Sequence, residues 1–425
     1  MEPILTHLQP ELSPPTWRFS WLLAAPHRLA FFAAALMLAF SSIWWSAVLL
    51  ARAFGQGPAW SVSPSTAHAL LMSMGFMPLF MVGFLFTAGP KWLSVPGVPA
   101  RQLLPAVALM LAGWTLAVAG FHVHSALASA GLALVATGWI ILCLKFWLLL
   151  RQSRTPDQIH ARLVAVGCSV GAMALVAAVL ALASGSELLL RSAVHMALWG
   201  FAATVFAVVS HRMVPFFSAS AVPGLDAWRP MWLLWVMVTV MWLEAFLAAA
   251  ELWWTLPPAL RWAQVAMEAA AALLFLGLAL RWGLVQSLRI RLLAMLHGGF
   301  AWLGIALALN AVSHSLMALT NGELSLGLAP LHAMTMGYLG ATLFAMVTRV
   351  SSGHSGRPLA ADDIAWTLYW VLQAAIVLRV IAALWPAAAS ALTLLAVLAW
   401  ATATVGWALR YGSWFGRPRI DGRAG

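Results

Sequence analysis

The chain has 425 residues, of which 63% are hydrophobic and only 8% charged, and its formal net charge is +11. Long apolar runs in such a composition exclude an ordinary soluble domain and point to an all-α, polytopic membrane protein. The positive charge sits in short connections between apolar runs, where it reports topology, so the lipid bilayer is the expected partner and nucleic acid is not.

The N-terminal stretch 1–27 carries Glu2, Glu11 and several prolines and reads as a cytoplasmic tail rather than a cleaved signal peptide. A spanning helix needs about 20 apolar residues, and the first covers 28–51. After the Gly55–Pro58 turn the second covers 65–88, with His68 about one turn inside it and Gly75 further on. The third and fourth, 101–121 and 125–149, enclose His122-Val-His124. In extended backbone that spacing turns both rings to one side, so the pair is either a surface metal site or part of a solvated loop. The fifth covers 160–184. The sixth, 190–213, holds His195-Met-Ala-Leu-Trp-Gly200 and then Arg212.

Spans seven and eight, 230–250 and 258–281, carry Glu244 and Glu268. The ninth, 291–317, begins near His297-Gly298-Gly299 and ends with Asn310 and His314, one turn apart on a polar stripe. The tenth, 327–349, holds His332-Ala-Met-Thr-Met-Gly337 and then Arg349. The eleventh, 364–385, contains Arg379, and the twelfth, 387–410, leads into a basic cytoplasmic tail, 411–425. The transmembrane domain is thus 28–410. Cys143 and Cys168 fall within spans, and there is no Cys-x-x-Cys-His, so any haem would be held non-covalently.

Nineteen of the 23 Lys and Arg residues lie on one side of this arrangement: the N-tail, the even-numbered connections and the C-tail. That bias puts both termini in the cytoplasm. It places His68, His195 and His332 toward the outer leaflet, with His314 at their level. His27, His160, His211, His297 and His354 then lie toward the inner side.

His195 and His332 share the same His-to-Gly and Gly-to-Arg spacing, and the steps from His68 to His195 to His332 are 127 and 137 residues, about four helices each. Three four-helix repeats follow, each with an imidazole at one depth. Imidazole within a bilayer is costly and marks a site, and it ligates haem iron and copper. His68 and His332 are therefore haem-ligand candidates, and His195 a further haem or copper ligand. His297 and His314 are metal-ligand candidates. Arg379 either pairs with Glu244 or Glu268, or faces a haem propionate or substrate anion while a glutamate relays protons. The alternative class is a cofactor-free, proton-coupled secondary transporter of a small solute.

Three segments resemble the NnrS family, membrane proteins tied to the bacterial response to nitric oxide. They are His68-Ala to Gly75-Phe76 with Gly83-Phe-Leu-Phe-Thr-Ala-Gly-Pro-Lys-Trp92, Arg212-Met-Val-Pro-Phe-Phe217, and Leu331-His-Ala through Thr348-Arg349 to Gly353-His-Ser-Gly-Arg-Pro-Leu359. Leu296-His-Gly-Gly-Phe-Ala-Trp-Leu303 also resembles a family segment. The resemblance implies about twelve spans in the bacterial inner membrane, haem and copper as cofactors, and nitric oxide as the small uncharged ligand. One departure stands out: where the family's second helix reads His-Ala-His-Glu-Met, this chain has His68-Ala69-Leu70-Leu71-Met72. The helix numbers also resemble those of the haem-copper oxidase catalytic subunit, whose histidines lie on its second, sixth and tenth helices. The seventh helix here lacks that subunit's histidine pair.

Overall fold

A computed structural model describes residues 16–422; Glu2, Glu11 and most of the N-terminal tail lie outside them. Twelve helices are long and apolar enough to cross a membrane. They are α1 (Pro26–Ala53), α2 (Pro64–Leu93), α3 (Ala100–Val123), α4 (Ser125–Gln152), α5 (Ile159–Ser184), α6 (Glu187–Ala221), α7 (Met231–Ala250), α8 (Pro258–Arg281), α9 (Arg291–Leu319), α10 (Ala329–His354), α11 (Asp363–Leu384) and α12 (Pro386–Phe415). Among the described residues there is no strand. In lipid every backbone N–H and C=O must be satisfied within its own segment, which leaves the helix as the available element.

Twelve crossings put both ends of the described chain on one face, called here the terminal face. Successive helices pack on one another, and α12 packs back on α1 to close the bundle. Three helices are the most enclosed: 83% of the apolar window of α2, 72% of that of α6 and 78% of that of α10 is buried, against 28–67% for the others. The equivalent members of the three repeats therefore occupy the centre.

Each of the three is distorted just past its histidine. In α6 a π-helical segment, Met196–Ala203, begins directly after His195. In α10 another, Ala333–Ala341, begins directly after His332. In α2 the helix breaks at Gly75 and Phe76, where Pro78 has no N–H to give and crowds the carbonyl four residues back. Wide turns of this kind are rare and cluster at functional sites. The α10 segment has a local cause. A Cβ on Gly337 would lie 2.6 Å from the Trp302 ring of α9, so the indole presses directly on the α10 backbone. That indole is anchored by donating to Gln373 Oε1 at 2.9 Å.

Most predicted spans agree with the helices to within a few residues, and the largest difference is in α6. The expected end at 213 rests on Arg212 and the following proline, yet the helix runs through Pro215 to Ala221. Val214, Phe217 and Ser218 are buried there, and tertiary packing outweighs the missing hydrogen bond. At the other end of the chain, α12 continues to Phe415, and the segment after it is strapped to the bundle. Arg18 N–H donates to the Gly416 carbonyl at 2.8 Å, and Ile420 N–H to Ser355 at 3.1 Å. The buried Arg28 donates to the Arg417 carbonyl at 2.7 Å.

Candidate functional site

The face opposite the termini gathers the first group. His68 on α2 stacks on Trp45 of α1, with ring centroids 4.0 Å apart and planes 21° apart. His332 on α10 and Arg379 on α11 are both within electrostatic reach of His68, and Arg379 is within reach of His332. Four helices thus converge on one place, and three of the four residues expected to bind a cofactor meet there. Trp45, His68, His332 and Arg379 are each only partly covered, so the group stays open to a ligand.

The ring nitrogens define what this group can do. His332 Nδ1 lies 2.9 Å from the Leu328 carbonyl; a carbonyl only accepts, so Nδ1 carries the proton and the neutral ring keeps its lone pair on Nε2. That is the arrangement of a ligating imidazole oriented by its own backbone. His68 Nδ1 is buried and has no hydrogen-bond partner among the described residues. Two imidazoles with uncommitted nitrogens beside a guanidinium fit haem in donor chemistry: nitrogens for iron and a cation for propionates. About two turns deeper along the same helices, a small apolar cavity of about 20 Å³ is lined by Leu38, Phe76, Phe80, Gly340, Trp400 and Trp407.

The fourth expected residue lies apart. His195 on α6 is within reach of Arg191, one turn earlier on the same helix, and no interaction among the described residues joins it to His68 or His332. Its Nδ1 is buried without a hydrogen-bond partner among those residues. His297 sits at the opposite end of the bundle, where its Nε2 meets Ser218 Oγ at 2.8 Å. That hydroxyl already donates to the Val214 carbonyl, so His297 is the donor.

A second polar group crosses α7, α8 and α9. His314 Nδ1 lies 2.8 and 3.0 Å from the two oxygens of Glu268. Asn310, one turn earlier, donates to Glu244 Oε2 at 3.3 Å, and the two carboxyl groups face each other. Arg379 pairs with neither glutamate, which rules out the first of the two alternatives the sequence left open: it lies on α11 beside the histidines, while the acids lie on α7 and α8 with their own partners. His195, His297 and His314, the three metal-ligand candidates, are in three different places. No group of three or more His, Cys, Asp or Glu side chains with metal-site geometry occurs among the described residues.

The His122-Val-His124 pair does not present two rings on one side, because α3 continues to Val123 and only His124 is extended. His122 Nε2 accepts from the Trp44 indole at 3.0 Å, and its Nδ1 donates to the Ala59 carbonyl at 3.0 Å. His124 Nδ1 accepts from Ala126 N–H and caps α4. Both are structural.

At the terminal face His160 Nε2 lies 3.0 Å from His211 Nδ1, and His211 Nε2 donates to the Pro230 carbonyl at 3.1 Å. His27 and His354 pack ring to ring, with centroids 4.2 Å apart. Sequence reading did not find these pairings, nor the part played by Trp45, since each joins segments far apart in the chain. Gln264 was within its reach, lying four residues before Glu268 and three after Arg261 on one face of α8.

The sequence profile of the NnrS protein family matches residues 21–419, nearly the whole chain. Comparison with curated proteins gives no match.

Proposed function

The chain belongs to the NnrS family, and from that premise we propose a haem-binding membrane protein that handles nitric oxide at the His68–His332–Arg379 group. The observation that carries this reading is the convergence of two imidazoles with uncommitted nitrogens and one guanidinium from α2, α10 and α11. His332 would ligate through Nε2, held in tautomer and direction by the Leu328 carbonyl. His68 would offer the second nitrogen, braced by Trp45, and Arg379 would face the carboxylates of the macrocycle. Bound there, haem iron would supply a site for binding or redox handling of a small uncharged molecule. The apolar cavity deeper along α2 and α10 suits such a molecule, which partitions into lipid.

Copper finds less support in these residues. Leu70 and Leu71 stand where the family resemblance implies an imidazole and a carboxylate, and both are packed into the apolar core at 2% and 0% exposure. The cationic bias of the connections favours cytoplasmic termini in a bacterial inner membrane, with the site toward the outer leaflet.

Protein purified from haem-supplied cells should show a Soret band that His332→Ala abolishes and Arg379→Gln weakens, each variant keeping the wild-type chromatographic profile. Wild-type protein without haem absorbance, or an undiminished band in His332→Ala, overturns the reading.

A further inference from the structure

The polar group on α7, α8 and α9 stands apart from the histidines of the proposed haem site and has a different chemistry. Glu244 and Glu268 are 2% and 0% exposed. Counted from the ends of α7 and α8, at about 1.5 Å per residue, they lie on the order of 10–15 Å in from the face opposite the termini. Their surroundings assign them different roles. Glu268 presents both oxygens to His314 Nδ1; with the proton on that nitrogen His314 donates to Glu268, which makes Glu268 the better-matched carboxylate of the two acids. Glu244 has Oε2 accepting from Asn310, while its Oε1 is buried with no hydrogen-bond partner among the described residues. A carboxylate oxygen left so would be an unpaired buried charge beside a second carboxylate. A hydroxyl there supplies a donor toward Glu268 and removes the repulsion.

We propose that Glu244 is a proton-binding site: it holds one exchangeable proton on Oε1, donated toward the Glu268 carboxylate that His314 keeps in place. A stripe of polar side chains runs from the bundle surface to the pair. Arg261 pairs with Glu251 near the bundle surface and donates to Gln264 Oε1 at 3.2 Å, and Gln264 lies against Glu268 one turn further along α8. Residues 261, 264 and 268 form one polar stripe of α8. The charged and titratable groups facing the pair are Glu251 from the end of α7, Arg261 from α8 and His314 from α9. A proton taken from water at that face adds to a carboxylate oxygen, and on release returns to water or passes to a base. No electron or co-reactant is involved, and the site does not depend on haem.

Infrared difference spectroscopy on the full-length protein at neutral pH reads this directly. The wild type should show the C=O band of a protonated carboxylic acid, shifted by D2O and by ¹³C-labelled glutamate. Only seven glutamates are present, and exposed ones are ionised at that pH. The band should vanish in Glu244→Gln and move in frequency in Glu268→Gln as its acceptor changes from a carboxylate to an amide. Loss in Glu244→Asp would not be expected. Wild-type protein without a glutamate-derived carboxylic acid band overturns the proposal, as does a band that survives Glu244→Gln unchanged. The labelled wild-type measurement decides the matter even if a variant fails to fold.

Discussion

An imidazole inside a bilayer is costly, and the histidines of this chain meet that cost in different ways. His122 spends both nitrogens on Trp44 and Ala59, which makes it a clasp between α1, α3 and the loop before α2. Among the described residues His68 Nδ1 has no hydrogen-bond partner, and the ring rests on Trp45, which leaves it able to serve a ligand. Both look alike as sequence, each an imidazole near a helix end. Spacing singled out His68, His195 and His332, and the structure joins only His68 and His332. Small residues are more easily judged. A Cβ on Gly120 would lie 2.1 Å from the Ala128 backbone nitrogen, because α3 and α4 cross with their backbones nearly touching. Lipid tails are as apolar as leucine, so such close packing is what holds membrane helices together. Gly120→Val should therefore destabilise the protein by about 1–3 kcal/mol or more, measured as a lower unfolding midpoint in detergent. An unchanged midpoint would show that the crossing can relax.

At the level of single helices, the repeat in α6 and α10 is structural as well as sequential. Each histidine is followed at once by a π segment, and a π turn holds one residue more than an α turn. Removing one residue from Ala333–Ala341, for example Met336, should restore α geometry. It would abolish the wide turn that joins His332 to the half of α10 carrying Arg349 and draw the imidazole out of its present place. Haem absorbance should be lost while Arg349 keeps its place over the Phe217 ring. The same deletion in Met196–Ala203 should leave the absorbance in place, because His195 is not part of the group; equal losses would show that it belongs there. Hydropathy predicts each helix but not its local winding, since the π turn in α10 depends on Trp302 arriving from α9 at Gly337.

For the whole molecule, the terminal face depends on the segment after α12. Truncation after Phe415 removes the acceptor of Arg18 N–H, the nearer of the two carbonyls that accept from Arg28 and the Ile420–Ser355 bond, each contributing about 1 kcal/mol. It also removes Arg419, whose guanidinium donates to the His354 carbonyl at 3.4 Å. The truncated chain should unfold at a lower temperature, with haem retention little changed because the site is at the other face. Loss of haem with no loss of stability would show coupling between the two faces.

By itself the sequence determined the class, the number of helices and the central repeat. These follow from apolar length, from charge in the connections and from intervals of about four helices, all of which are properties of one stretch of chain at a time. It also marked nearly every residue of both polar groups, because a buried charge or imidazole is conspicuous in an apolar run. The tertiary structure decided the pairing. It gave Arg379 to the histidines and left Glu244 and Glu268 to Asn310 and His314, because rotation about each helix axis fixes which polar side chains meet. That rotation is set by close contacts such as Trp302 on Gly337, which no single helix contains.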